Sequence, residues 1–226
     1  MTAPYALYYW PIPFRGQIIR VILAYADVAW CEADWEEVGA LKERSIGDLP
    51  YPFMAPPLLE DREAGRWISQ LPAITMYLGR MHGLSRVPDT ELRLVCDASD
   101  ILVEITRGHG AQMWDRAAWD DFVAVRLPRW MGLHERLVID EALDAGEIDL
   151  SQLILTGLWH NMVRCLPGLR PVLAAHAPTV AALVDRVAQT SRVAALFATW
   201  DDGPARYCAG EIEASILDML EGKEDI

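Results

Sequence analysis

The chain has 226 residues, 52% of them hydrophobic and 23% charged, a globular balance that excludes disorder over most of its length and leaves room for one large domain or two small ones. Acidic residues outnumber basic ones 33 to 20, for a formal charge of −13; such a surface repels nucleic-acid phosphates and anionic lipid, so neither is an expected partner. Cys31, Cys96, Cys165 and Cys208 form no C-x-x-C pair, and neither a leader nor an apolar run of ~18 residues is visible, so a cytoplasmic protein with reduced thiols and no metal is expected.

The aromatic run 5–10 stops at Pro11 and suits a buried strand. Ile18, Ile19, Ile22, Leu23 and Ala26 recur at helical spacing and predict a helix over 15–27. A second strand is expected over 30–35, and 38–52 reads as irregular with a short helix. Residues 58–61 and 66–69 flank a turn whose Gly65 can supply a positive φ, a hairpin signal. Ser69 is placed to cap a helix opening near Pro72, with Ile74, Tyr77, Leu78 and Met81 on its apolar face and Gly83 at its end.

From Glu91 onward no strand pattern appears. Leu92, Val95, Cys96, Ser99, Leu102 and Val103 form a long helical stripe that Gly108 and Gly110 break. A second stretch runs over 116–143 with an interruption at Pro128, and shorter ones cover 151–165, 179–189, 192–198 and 210–221. Cys96 and Cys165 fall in apolar helical patterns and read as small core residues. Residues 222–226 are expected to fray. The division is an α/β unit over 1–83, a link over 84–90 containing Pro88, and an all-helical unit over 91–226.

Three short motifs lie in order along this frame. Tyr9 ends the first strand and Arg15 follows six residues later at the start of the helix. Pro56, Pro57, Leu58, Leu59, Glu60 and Asp61 match a V-P-x-L-x-D pattern, and residues 68–74, with Gln70 and Leu71 at their centre, match L-x-Q-S-x-A-I. With these motifs, the chain resembles the cytosolic glutathione transferases of the tyrosine type, including bacterial ones, over nearly its whole length. The resemblance implies a thioredoxin-like βαβ-ββα half followed by an all-α half, and a homodimer. It also implies that Tyr9 hydrogen-bonds the thiolate of the cosubstrate glutathione, that Arg15 supplies positive potential, and that Pro57 is cis. Gln70 would hold the γ-glutamyl end and Lys42 the glycine carboxylate. The hydrophobic electrophile would lie against Trp10, Phe14 and the stretch from Gln112 through Trp114 to Trp119.

Two substitutions fall on the implied glutathione contacts. Pro56 has no N–H to pair with the cysteinyl part, and Leu71 replaces a serine whose hydroxyl would bind the γ-glutamyl carboxylate. Losing two such bonds, at about 1 and 1.5–3 kcal/mol, weakens binding roughly a hundredfold or more. In the helical half an S-x-x-D capping box is lost because Ile154 stands for the aspartate, and Asp149 is placed to cap instead. The five histidines, His82, His109, His134, His160 and His176, show no nucleophile to pair with and read as surface or satisfied core residues. Two functions therefore stay open. One is a transferase joining glutathione to an electrophile. The other is a non-enzymatic binder of a protein partner, similar to transferase-like division regulators that bind the filament protein FtsZ.

Overall fold

The computed structural model describes residues 3–200 and 206–222. Its first part contains β1 (Tyr5–Tyr8), α1 (Arg15–Tyr25), β2 (Trp30–Glu32), α2 (Trp35–Lys42), β3 (Leu58–Asp61), β4 (Arg66–Ser69) and α3 (Leu71–Met81). The strands form one sheet in the order β2-β1-β3-β4. β1 and β2 run parallel across α1, because a parallel pair needs a crossover, whereas β3 pairs antiparallel with both β1 and β4. The hairpin has Leu58 opposite Ser69 and Gly65 at φ +61°.

Local chemistry moves several boundaries from where periodicity put them. α2 begins inside the expected second strand, since Asp34 accepts the Glu36 N–H at 2.8 Å and two glutamates occupy the first turn. The cap position of α3 is Gln70, because Ser69 still belongs to β4. Pro88, expected in the link, opens α4 (Pro88–Ile105). The buried Glu91 carboxylate caps that helix by accepting the Ser85 hydroxyl and the N–H groups of Arg86 (2.6 Å) and Val87 (3.0 Å). The buried face of α4 carries Leu94, Ala98, Ile101 and Ile105 together with Val95 and Leu102 of the expected stripe, so it is turned one step from that stripe and leaves Leu92 and Cys96 exposed. Both faces are apolar, and periodicity alone does not choose between them.

The helix expected to break at Pro128 runs through it. Arg116–Asp121, a π-helical turn Phe122–Arg126 and Leu127–Asp140 stack end to end as α5. The wider turn shifts the hydrogen-bond register just before Pro128, so the ring enters at a first-turn position. α6 has the same construction, from Leu150–Leu155, a π-helical turn Thr156–His160 and Asn161–Cys165. Asp149 caps it, accepting the Gln152 N–H at 3.2 Å. Four shorter helices follow: α7 (Arg170–His176), α8 (Pro178–Ala188), α9 (Ser191–Ala198) and α10 (Glu211–Leu220). The fraying expected at the C-terminus lies, apart from Gly222, outside the described residues. No described helix is long and apolar enough to cross a membrane.

α6 is buried along most of its length and joins the two parts. A Cβ added at Gly157 would lie 2.7 Å from the Ile18 Cα, so glycine is what lets α6 and α1 approach this closely. One turn on, the buried Asn161 side chain donates to the Pro13 carbonyl at 2.6 Å. That bond anchors the loop that follows β1.

Candidate active site

That loop, the start of α1, the turn before β3 and the start of α3 converge on a cleft of about 580 Å³ between the sheet and the helical part. Tyr9 lies just past the end of β1 and is only 3% exposed. Strand alternation sends Tyr8 to the other face, where its ring meets Trp67 at 5.2 Å. The Tyr9 ring rests on Gly16, and its hydroxyl oxygen accepts the Arg15 N–H at 3.1 Å. That N–H is one of the unpaired donors of a helix start. The oxygen is thereby satisfied as an acceptor and the phenolic proton is left to donate. Burial pushes the Tyr9 pKa up to about 12 against the opposing pull of Arg15 and Arg20. The group is a neutral phenol at physiological pH, and only the neutral form can donate.

The Arg15 guanidinium lies over the Phe14 ring, 5.1 Å from its centroid, and Nη1 is 3.4 Å from His109 Nδ1. Burial and the Arg15 charge pull the His109 pKa down, so its ring is neutral and accepts from the guanidinium. Arg20 was not singled out from the sequence, yet it holds this end of the cleft in shape. Buried beside the Tyr9 ring, it donates to the carbonyls of Ile12 (2.9 Å) and Trp10 (3.1 Å) and forms a two-point pair with Glu32 at 2.8 and 2.9 Å. Arg20 lies off the apolar stripe of α1, so periodicity did not mark it; it is buried because α1 is covered on every side.

The structure brings Tyr9, Trp10, Arg15, Lys42, Pro56, Pro57, Gln70 and Leu71 to this one cleft. The Pro56–Pro57 peptide is cis, as expected. Gln70 has φ +77°, unusual for a residue with a Cβ, and its side chain makes no capping bond. Leu71 is 2% exposed and packs in the main core, so it brings no polar side chain to the cleft.

Trp114 is a correction. Its indole donates to the Ile105 carbonyl at 2.9 Å, and its ring packs on Trp119 (5.2 Å) and Phe122 (5.0 Å) away from the cleft. The cause is a run of positive φ at Arg107, Gly108, His109 and Gly110, which reverses the chain after α4. His109 takes the place expected for Trp114 and is not a bystander histidine. Ser99, Asp100 and Val103 of α4 and Thr106 just after it, with Cys208, Ala209 and Ile212, complete the helical wall. Apart from the Gly108-His109-Gly110 reversal, nothing local in the sequence marks these positions, because they meet the cleft only through packing.

A family model described as glutathione S-transferase, C-terminal domain, matches residues 90–219, more than half of the chain. The chain belongs to the glutathione S-transferase family. Among proteins of curated function, none matches this transferase-family chain in sequence. Its fold is similar to a Pi-class glutathione S-transferase of Onchocerca volvulus (TM-score 0.69, 17% identity, 90% of this chain and 99% of that one). It is also similar to the glutathione S-transferase of Ascaris lumbricoides (TM-score 0.67, 21% identity, 88% and 98%) and to prostaglandin synthase D of Nilaparvata lugens (TM-score 0.63, 18% identity, 86% and 96%). At such identities the likeness is one of fold, and function rests on the site.

Proposed function

We propose that the cleft binds glutathione and that Tyr9 hydrogen-bonds its thiolate for transfer to a hydrophobic electrophile. The observation that carries this reading is Tyr9, a residue of the cleft wall whose neutral hydroxyl has its oxygen already accepting the Arg15 N–H and its proton left to donate. A free thiol of pKa ~8.5 is only a few per cent ionised at neutral pH. A hydroxyl donor and a nearby guanidinium both favour the thiolate, so the S–H proton passes to water. The sulfur lone pair then forms the C–S bond as the electrophile's leaving group departs with its electron pair, or as its π bond takes up that pair. Arg15 supplies the positive charge, Gln70 and Lys42 reach the ends of the tripeptide, and Trp10 and Phe14 give the acceptor an apolar wall. Exposed apolar side chains on the helical part, Leu92 on α4 and Val125 and Leu133 on α5, support a homodimer.

The second reading, a protein binder such as an FtsZ-binding division regulator, is favoured by one specific observation: Pro56 and Leu71 leave two implied glutathione contacts unmade. Calorimetry with glutathione on the parent chain and on Pro56→Val separates the two. The expected results are millimolar or tighter binding and about a fivefold gain on restoring the N–H, since a neutral hydrogen bond is worth about 1 kcal/mol. If neither protein binds glutathione, the enzyme reading fails and co-sedimentation with FtsZ filaments becomes the next measurement.

A further inference from the structure

The helical wall of the cleft is rich in hydrogen-bond acceptors. Ser99, Asp100 and Val103 on α4 and Thr106 just after it recur at helical spacing and share one face over about 10 Å. The Ser99 hydroxyl donates to the Val95 carbonyl at 2.9 Å, and the Thr106 hydroxyl to the Leu102 carbonyl at 2.7 Å. Both protons are used inside the helix, which leaves each oxygen only its capacity to accept. Asp100 adds an exposed carboxylate with no cation paired to it among the described residues. Arg126 senses that charge but is held by the neighbouring Glu104 through bonds of 2.8 and 2.6 Å. His109, at the end of this wall, is neutral and adds no charge.

The sheet-side wall is the reverse. Tyr9, Arg15 and Lys42 are donors there, and Trp10 and Phe14 are apolar. Glutathione with its thiol ionised carries two carboxylates and a thiolate against one ammonium, and Arg15 and Lys42 suit its negative groups. A second molecule entering the loaded cleft meets a net negative surround and a wall of acceptors. The formal charge of −13 on the whole chain also draws cations toward its clefts.

We propose that the electrophile this cleft selects is a cation, with an apolar body packed on Trp10 and Phe14 and a protonated amine received by Asp100, Ser99 and Thr106. The inference rests on the glutathione reading above and adds to it the class of acceptor. The test uses the full chain and calorimetry with three stable thioethers of glutathione that differ in one substituent. S-(4-aminomethylbenzyl)glutathione is the cation, S-(4-methylbenzyl)glutathione the neutral form and S-(4-carboxybenzyl)glutathione the anion. The cation should bind about fivefold more tightly than the neutral form, as an exposed ion pair allows, and the anion more weakly than either. That preference should shrink as salt is raised. Asp100→Asn should bring the ratio of cation to neutral form to about one, and Asp100→Lys should make the anion the tightest of the three. Asp100 is exposed in mid-helix, so the fold survives both changes. The proposal is overturned, with the glutathione reading intact, if the neutral form binds and the cation binds no tighter, or if the preference survives in Asp100→Asn. It is also overturned if Asp100→Asn weakens unsubstituted glutathione as much as the cation, since the carboxylate then holds the ammonium of the tripeptide itself. If none of the three binds, the glutathione reading fails and this inference falls with it.

Discussion

Replacing Gly16 with alanine puts a Cβ where the Tyr9 ring sits. The added carbon would lie 2.4 Å from Cδ1, 2.8 Å from Cγ and 3.0 Å from Cε1 of that ring. Ordinary carbon contacts begin near ~3.5 Å, so the ring must retreat by about 1 Å. Its retreat is opposed by the Arg20 guanidinium, 5.7 Å from the ring centroid and itself tied to Glu32, Ile12 and Trp10. Overpacking of this kind costs about 1–3 kcal/mol, against about 1 kcal/mol gained in helix propensity. Gly39→Ala is the control. It lies in α2 with no atom within 4 Å of the added carbon, and so collects the propensity gain alone. Urea unfolding followed by tryptophan fluorescence should find Gly16→Ala less stable than Gly39→Ala by about 1–3 kcal/mol. Turnover with glutathione and a chlorodinitrobenzene acceptor should fall at least tenfold in Gly16→Ala, since a catalytic group displaced by about 1 Å loses up to ~100-fold. If Gly16→Ala matches Gly39→Ala in stability and the parent in turnover, the Tyr9 packing argument is refuted.

Asn161→Ala leaves the buried Pro13 carbonyl without its donor and should cost about 1–3 kcal/mol in urea unfolding, with a loss below ~0.5 showing that the bond is dispensable. Arg126 and Trp130 hold the Glu104 carboxyl below its ordinary pKa of 4.5. A depressed folded pKa contributes stability above the unfolded value that fades as pH falls through the folded one. Glu104→Gln should therefore cost about 0.5–1 kcal/mol at pH 7, a figure discounted for solvent screening, and less at pH 3; an equal loss at both would contradict the pairing. Conjugation should rise with pH along one ionisation, that of the glutathione thiol, at or below ~8.5. Tyr9→Phe should move that ionisation upward, and an unmoved pH profile would remove Tyr9 from the chemistry.

Much of the first part was legible because its signals are local. The roles of Tyr9 and Arg15 were implied by the family resemblance, whereas a glycine with positive φ inside a short polar turn and an aromatic run before a proline each act over a few residues. Asp149 as the cap of α6 was legible for the same reason. Where two local preferences competed, as at Trp35, the nearby Asp34 cap prevailed over β-propensity. What the sequence by itself determined is therefore the element order of the first part and the hairpin, while the sheet-side residues of the cleft came with the family resemblance and the helix Arg170–His176 was not foreseen. Only the tertiary structure decided which face of α4 is buried, that the chain reversal at 107–110 puts His109 beside Arg15 and Trp114 in the core, and that Arg20 pins the loop after β1. These depend on contacts between residues far apart in the chain, such as Gly157 on Ile18 and Asn161 on Pro13, whose geometry no local periodicity encodes.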